Sequence, residues 1–379
     1  MFNRKSVAKL AAAGLAAAMV LTGCTPAASS TLVNINKGEA KIEYGYGYFM
    51  AKYYQSLYDM TYGSYYGSSF WTQDLANDGS TMEADVKDSV MDEMKSEYIL
   101  NQHTSDYNIS LTDDETKAID DAVDKFFSDN DEDALKAMGA TKDYVKKMLT
   151  DNTVTAKMKS AIEAETEVSL TDDETGQSKI SYVKFSTAAT TDSDGNKTEM
   201  SDEDKAAAKA KADELASVMA ADFEDKAKEL DASVQTYTYT TAADSYENES
   251  LPEAVIKAAK EVEEGHTSGV IEDADTGYYV VRMDAVHDDE ATATKTKELT
   301  QSAQEDHYKE VLDGWESDLK WSVDDKLWKK VTMTDSTFTM KQSTTDTSTD
   351  TTSDGAVSTD SGADTTSDGA VSTDSTSGN

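Results

Sequence analysis

The chain has 379 residues, 38% of them hydrophobic, and a formal net charge of −39. That length allows two or three domains with cores of their own. The acidity argues against a nucleic-acid partner, which needs a basic footprint, and against adsorption to anionic lipid through surface charge.

Residues 1–23 read as a lipoprotein signal peptide. Arg4, Lys5 and Lys9 form a positive start, "LAAAGLAAAMVL" is a short apolar run, and "LTGC" closes it as a lipobox at Leu21–Cys24. The apolar run is too short to span a bilayer comfortably. Cys24 is the sole cysteine and the expected lipidation site, so an internal disulfide is not expected. The expected place of work is the extracytoplasmic face of a cell membrane, in a Gram-positive-type envelope. Residues 24–31 read as a lipid-anchored linker.

Residues 32–175 read as a mostly helical domain. "TLVNINKGEAKIEYGYGYFM" predicts a short strand pair leading into a helix. Nine of the 19 tyrosines fall between Tyr44 and Tyr66, and Tyr54, Tyr58 and Tyr62 share one helical face. Rings packed into a core are the plainer reading; an aromatic client-binding surface is the sharper one. "MEADVKDSVMDEMKSEYILNQH" predicts a second amphipathic helix with Val86, Val90, Met94 and Ile99 inward. "SLTDDET" occurs at 110–116 and again at 169–175, each copy with a Thr-x-x-Glu capping box. The first copy opens a helix with Ile119 and Val123 at core spacing. The second marks a boundary, because "KISYVKFST" follows it.

Residues 176–290 change character. A strand from Ile180 to Ser186 is followed by a polar loop and two helices. The alternating "SVQTYTYTT" comes next, then a helix begun near Pro252, and then "TGYYVVRMDAV". The order β-α-α-β-α-β predicts an α+β fold in which the opening and closing strands lie central in one sheet. Residues 291–340 return to helix. Tyr308, Leu312, Trp315 and Leu319 stand at 3-4 spacing, and Trp321 and Trp328 are expected to pack on the N-terminal helices. Residues 341–379 are rich in Ser, Thr and Asp and carry "DTTSDGAVSTDS" twice, a composition that predicts a disordered tail.

Motifs for cofactor chemistry are missing. The four histidines are scattered without metal-ligand spacing, so no metal site is expected. "DSDGNKTEMSDED" is acidic, but Gly195 is the fourth residue from Asp192, whereas a calcium loop of the EF-hand type needs glycine at the sixth. There is no phosphate-binding loop, dinucleotide fingerprint or nucleophile elbow, so no small-molecule cofactor is expected.

Several stretches in order carry a resemblance. "ISYVKF", "AKAKADEL" with "MAADFEDKAKEL", "LPEAVIKAAKEVEEGHTSGVIE" (its turn at Gly265, Ser268 and Gly269) and "TGYYVVRMDAV" resemble a parvulin-type peptidyl-prolyl isomerase domain. With the lipobox and the flanking helices, residues 32–333 resemble the extracytoplasmic foldase lipoproteins of the PrsA/SurA-like kind. The resemblance implies helical N- and C-terminal chaperone segments around a small parvulin-like antiparallel-sheet domain. It implies unfolded or partly folded secreted polypeptides as partners, and a membrane anchor at Cys24. It places Tyr182, Tyr279 and Asp231 at the catalytic positions, and Tyr237, Tyr239 and Ala254 at the substrate-binding ones. Two of these depart from the family pattern, since Tyr182 and Tyr279 stand where the family keeps histidines. Ala254 falls near the place of an aromatic that lines the proline pocket. Two readings therefore stand: a foldase with isomerase activity, and a non-catalytic holdase or surface interaction lipoprotein with a vestigial parvulin domain. A solute-binding lipoprotein fits less well, because two similar α/β lobes are missing.

Overall fold

The computed structural model describes residues 26–191, 197–242 and 250–334. The expected signal peptide, Cys24 and the repeat-bearing tail lie outside the described residues, as does Gly195. The chain divides into two compact units. One comprises the described residues up to 159 together with those from 315 on, the other those of 160–314.

The first unit opens with β1 (Thr31–Ile35) and β2 (Ala40–Glu43), the expected strand pair. Between them Asn36 and Lys37 adopt positive φ before Gly38, which makes the tight reversal. The helix α1 (Tyr44–Tyr66) follows, then a 3₁₀ turn over Gly67–Thr72 and α2 (Met82–His103). Val86, Val90, Met94 and Ile99 are all buried, as their spacing predicts. The helix α3 (Asp113–Asp129) begins at the first capping box. The Thr112 side chain accepts from the Glu115 amide, and the Glu115 carboxylate accepts from the Thr112 amide. A short α4 (Glu132–Met138) ends at Gly139 in the left-handed conformation, and α5 (Lys142–Glu163) follows.

The tyrosine-rich α1 divides along its length. Tyr44 and Tyr46 are buried with Phe49 in the core, and Tyr48, Tyr53, Tyr54 and Tyr58 are half-buried against it. Tyr62, Tyr65 and Tyr66 are exposed. Core packing thus accounts for the first four turns, and the last turns end in an aromatic surface.

The second unit contains the second capping box. There it starts only one helical turn, α6 (Asp172–Thr175), before β3 (Gln177–Ser186). A two-residue ribbon, β4 (Thr190–Thr191) with β5 (Lys197–Thr198), leads to α7 (Asp202–Ala216) and α8 (Phe223–Glu229). Then come β6 (Gln235–Thr240), α9 (Glu253–Lys260), β7 (Ile271–Asp273) and β8 (Gly277–Ala285). The sheet is antiparallel with order β6-β3-β8-β7. The opening and closing strands are central, as the element order predicts. Both faces are covered, which explains why "YYVVRM" is nearly continuously apolar. Val183, Phe185 and Val280 pack under α7 and α8 with Ala212, Leu215 and Phe223. On the opposite face Ile180, Tyr279, Val281 and Met283 pack under Val255, Ile256 and Ala259 of α9.

The helix α10 (Asp289–Glu316) follows. The expectation that residues 291–340 are helical is not met throughout the described part. Trp321–Val323 form β9, which pairs antiparallel with β1 in a sheet of order β2-β1-β9. A three-residue strand is too short to show a period, so the aromatic spacing around it reads as helix. After it come α11 (Asp325–Trp328) and a non-helical run through Met333. Trp328 enters the core with α1 and α2 residues, as expected.

Candidate functional site

The strand register places the predicted tyrosines. On β3, Ile180, Tyr182 and Lys184 point to one face, and on β8 so do Tyr279, Val281 and Met283. Lys184 pairs with Tyr279, and Tyr182 pairs with Val281. Ile180 also pairs with Tyr237 of β6, and Ser178 with Tyr239. Tyr182, Tyr237, Tyr239 and Tyr279 therefore share the face that α9 covers in part.

Tyr182 and Tyr279 meet with ring centroids 6.3 Å apart, tilted by 34°. Their surroundings differ. Tyr279 is 2% exposed and packed among apolar side chains. Its hydroxyl lies 2.8 Å from Thr276 Oγ1, which lies 2.6 Å from Asp273 Oδ1. An ionised carboxylate can only accept, so Thr276 donates to Asp273 and Tyr279 donates to Thr276. The Tyr279 proton is thereby held inside the β7–β8 turn. That turn needs Gly277, whose φ is 128° and where a Cβ would lie 2.3 Å from the Phe185 carbonyl oxygen.

Tyr182 is half-buried and donates its hydroxyl proton to Gln235 Oε1 across the β3–β6 pair. Burial, then the neighbouring Tyr279 and Tyr237, hold its pKa above the usual tyrosine value. It is thus a neutral hydroxyl at physiological pH, able to accept a further hydrogen bond. Lys184 holds its ammonium 5.7 Å from the centre of the Tyr279 ring. Tyr237 accepts from the Ser250 amide at 3.2 Å, which ties β6 to the residues entering α9.

The other two predicted positions lie elsewhere. Asp231 sits in the turn between α8 and β6 with φ 55°. It lines a shallow cleft of about 510 Å³ together with Phe185, Ala208 and Lys211 and with Lys184 and Gln235 of the tyrosine face. Ala254 is on the exposed side of α9, which turns Val255, Ile256 and Ala259 to the sheet instead. The structure brings the four tyrosines together, sets Asp231 in a cleft shared with Lys184 and Gln235, and leaves Ala254 on the outer side of α9. Sequence reasoning missed Gln235, Thr276, Asp273 and Lys184. Pairing β3 with β6 and β8 places Gln235 and Lys184 on the tyrosine face, whereas the Thr276–Asp273 relay depends on the shape of a turn.

The Gly-x-x-Ser-Gly turn has a structural task. Gly265, with φ 75°, donates its amide to the Met283 carbonyl. The Ser268 amide donates to the Val281 carbonyl, and its hydroxyl oxygen accepts from the Val281 amide at 2.9 Å. This turn therefore fastens to β8 beside Tyr279.

Peptidyl-prolyl isomerisation needs no proton transfer. It needs an open apolar seat for the proline ring and donors that favour a twisted amide, against a barrier of about 18–20 kcal/mol. The face offers the half-buried Tyr182 hydroxyl and a nearby ammonium, but α9 already occupies the apolar ground around Tyr279. Among the described residues there is no cluster that could hold a metal ion.

A four-stranded antiparallel sheet with α7 and α8 on one face and α9 on the other defines an α+β domain of the parvulin kind. Residues 184–298 match the family model described as the PPIC-type PPIase domain, so this segment is such a domain. No curated protein matches the chain. Among solved structures the chain resembles a peptidyl-prolyl isomerase, PrsA, of Bacillus anthracis. That pair is 17% identical, covers 59% of this chain and 94% of that one, and has a TM-score of 0.23. It also resembles PrsA of Bacillus cereus, at 17% identity, 80% and 99% coverage and a TM-score of 0.27. A third likeness is to a structure of SurA-like chaperones of Campylobacter jejuni, at 12% identity, 78% and 98% coverage and a TM-score of 0.26.

Proposed function

We propose that this chain is a membrane-anchored extracytoplasmic protein-folding factor. Its PPIC-type domain takes proline-containing segments of secreted polypeptides. The observation that carries this reading is the family match over residues 184–298, on a sheet whose central strands bring Tyr182 and Tyr279 together. Cys24 is the lipid attachment point, and the clients are unfolded or partly folded chains outside the cytoplasmic membrane. The reading is tested with a labelled unfolded peptide containing apolar residues and proline, titrated into the unacylated chain. Saturable binding that Tyr182→Ala weakens is expected. No binding to a folded chain would overturn the reading.

One observation favours a non-catalytic form of the same function. Tyr279 is 2% exposed and its proton is engaged within its own turn, so only Tyr182 of the pair can meet a client. In this form the domain binds and holds client chains and accelerates isomerisation weakly or not at all.

A further inference from the structure

The run after α11 is held in an unusual way. Lys87 donates from Nζ to the Val331 carbonyl at 2.7 Å, and Lys52 to the Thr332 carbonyl at 2.6 Å. Gln55 donates from Nε2 to the Met333 carbonyl at 2.8 Å. Glu83 accepts from the Met333 amide at 3.0 Å. Three successive carbonyls and one amide of the run are thus bound by side chains of α1 and α2, not by a neighbouring strand or helix. Val331 and Met333 are fully buried in the core, while Thr332 between them is half-buried.

The chemistry is that of a receptor for main chain. Lys52 is 0% exposed, and Gln55 beside it is equally buried. Burial pulls the Lys87 pKa below its usual value, against the raising effect of Glu83. Glu83 lies 3.8 Å from the Lys87 ammonium and Lys52 also donates to Gln55 Oε1 at 2.9 Å, yet burying two ammonium groups here still costs a desolvation that apolar residues would not. Carbonyls and amides recur in every polypeptide, so these four contacts read backbone without regard to side-chain identity. The only side-chain demand is an apolar residue at two positions separated by one.

We propose that the ground between α1 and α2 that holds Val331–Met333 is a peptide-binding site for a segment with apolar residues two apart. Val331–Met333 is its intramolecular occupant, and its release opens the site to such a segment in trans. This site belongs to the helical unit and does not rest on the reading of the PPIC-type domain.

The test uses the full chain carrying Val331→Asp and Met333→Asp, which expels the occupant, and a fluorescein-labelled peptide of residues 329–334. The peptide is expected to bind this variant at least about tenfold more tightly than the unaltered chain. Adding Lys52→Met to the variant is expected to weaken binding about tenfold, as for one lost charge-assisted hydrogen bond. A peptide with Asp at both apolar positions is expected not to bind. Retained helical circular dichroism without peptide binding would overturn the proposal. If the variant loses its helical signal, excess peptide is expected to restore it. Failure to do so would show that Val331–Met333 is an integral core element rather than a ligand.

Discussion

Tyr182 and Tyr279 stand 6.3 Å apart on adjacent central strands, yet one is half-buried and the other is sealed in the core. The asymmetry follows from what each hydroxyl meets. Gln235 holds that of Tyr182 at the margin of the sheet, and Thr276 holds that of Tyr279 inside a turn. Substitutions at the two positions therefore report on different properties.

Tyr279→Phe keeps the ring and removes the donor to Thr276. It is expected to lower stability by about 1 kcal/mol, and Tyr279→Ala by about 3–5 kcal/mol, through the cavity left under α9. Tyr182→Ala is expected to change stability less than Tyr279→Ala and client binding more. Chemical unfolding and peptide titration of the same variants check both.

Gly277→Ala is expected to destabilise the second unit by more than about 1 kcal/mol. The residue has φ 128°, and an added Cβ would press on the backbone of Phe185 and Thr187. Thermal unfolding measures it. An unchanged midpoint would contradict the turn geometry that holds Tyr279.

Glu97 on α2 gives the first unit a pH dependence. It is 4% exposed and lies near Asp151 of α5, Glu93 of its own helix and Tyr46 of α1. Lys147 of α5 is the opposing cation. Burial, then the Asp151 and Glu93 charges, push its carboxyl from 4.5 up to about 9, while Lys147 lowers it. Between those two values the folded chain holds a proton that the unfolded chain has lost. The resulting stability is fully present below pH 4.5 and declines as pH rises through about 9. Glu97→Gln mimics the protonated acid and is expected to flatten the decline between pH 5 and pH 9. Urea midpoints across that range check it, and equal slopes in both proteins would contradict it.

Thr112→Ala removes the side-chain half of the capping box of α3 and is expected to cost about 1 kcal/mol. The same change at Thr171 is expected to cost less, because α6 is a single turn. Unfolding midpoints of the two variants compare them directly.

Much of the second unit is legible in the sequence, because its signals are local. The alternating "SVQTYTYTT" marks β6, the run "KISYVKFST" marks β3, and the apolar run of β8 marks a strand buried on both faces. The shared face of Tyr182, Tyr237, Tyr239 and Tyr279 follows once the strands are paired. The position of Ala254 does not, because which side of α9 meets the sheet depends on its packing. Asp231 stands in the turn before β6, in a cleft that it shares with Lys184 and Gln235. In the first unit, β9 is too short to read. The contacts that hold Val331–Met333 come from helices 244 to 280 residues earlier, which no local pattern encodes.

We propose that the chain binds unfolded secreted polypeptides through its PPIC-type domain. This is tested most directly by refolding an unfolded secreted protein, with a proline-limited slow phase, in the presence of the purified unacylated chain. Aggregation and the slow phase are followed in one sample. Aggregation is expected to be suppressed near equimolar chain, Tyr182→Ala to weaken the suppression, and the slow phase to accelerate little. Unchanged aggregation beside the folded chain would contradict the claim.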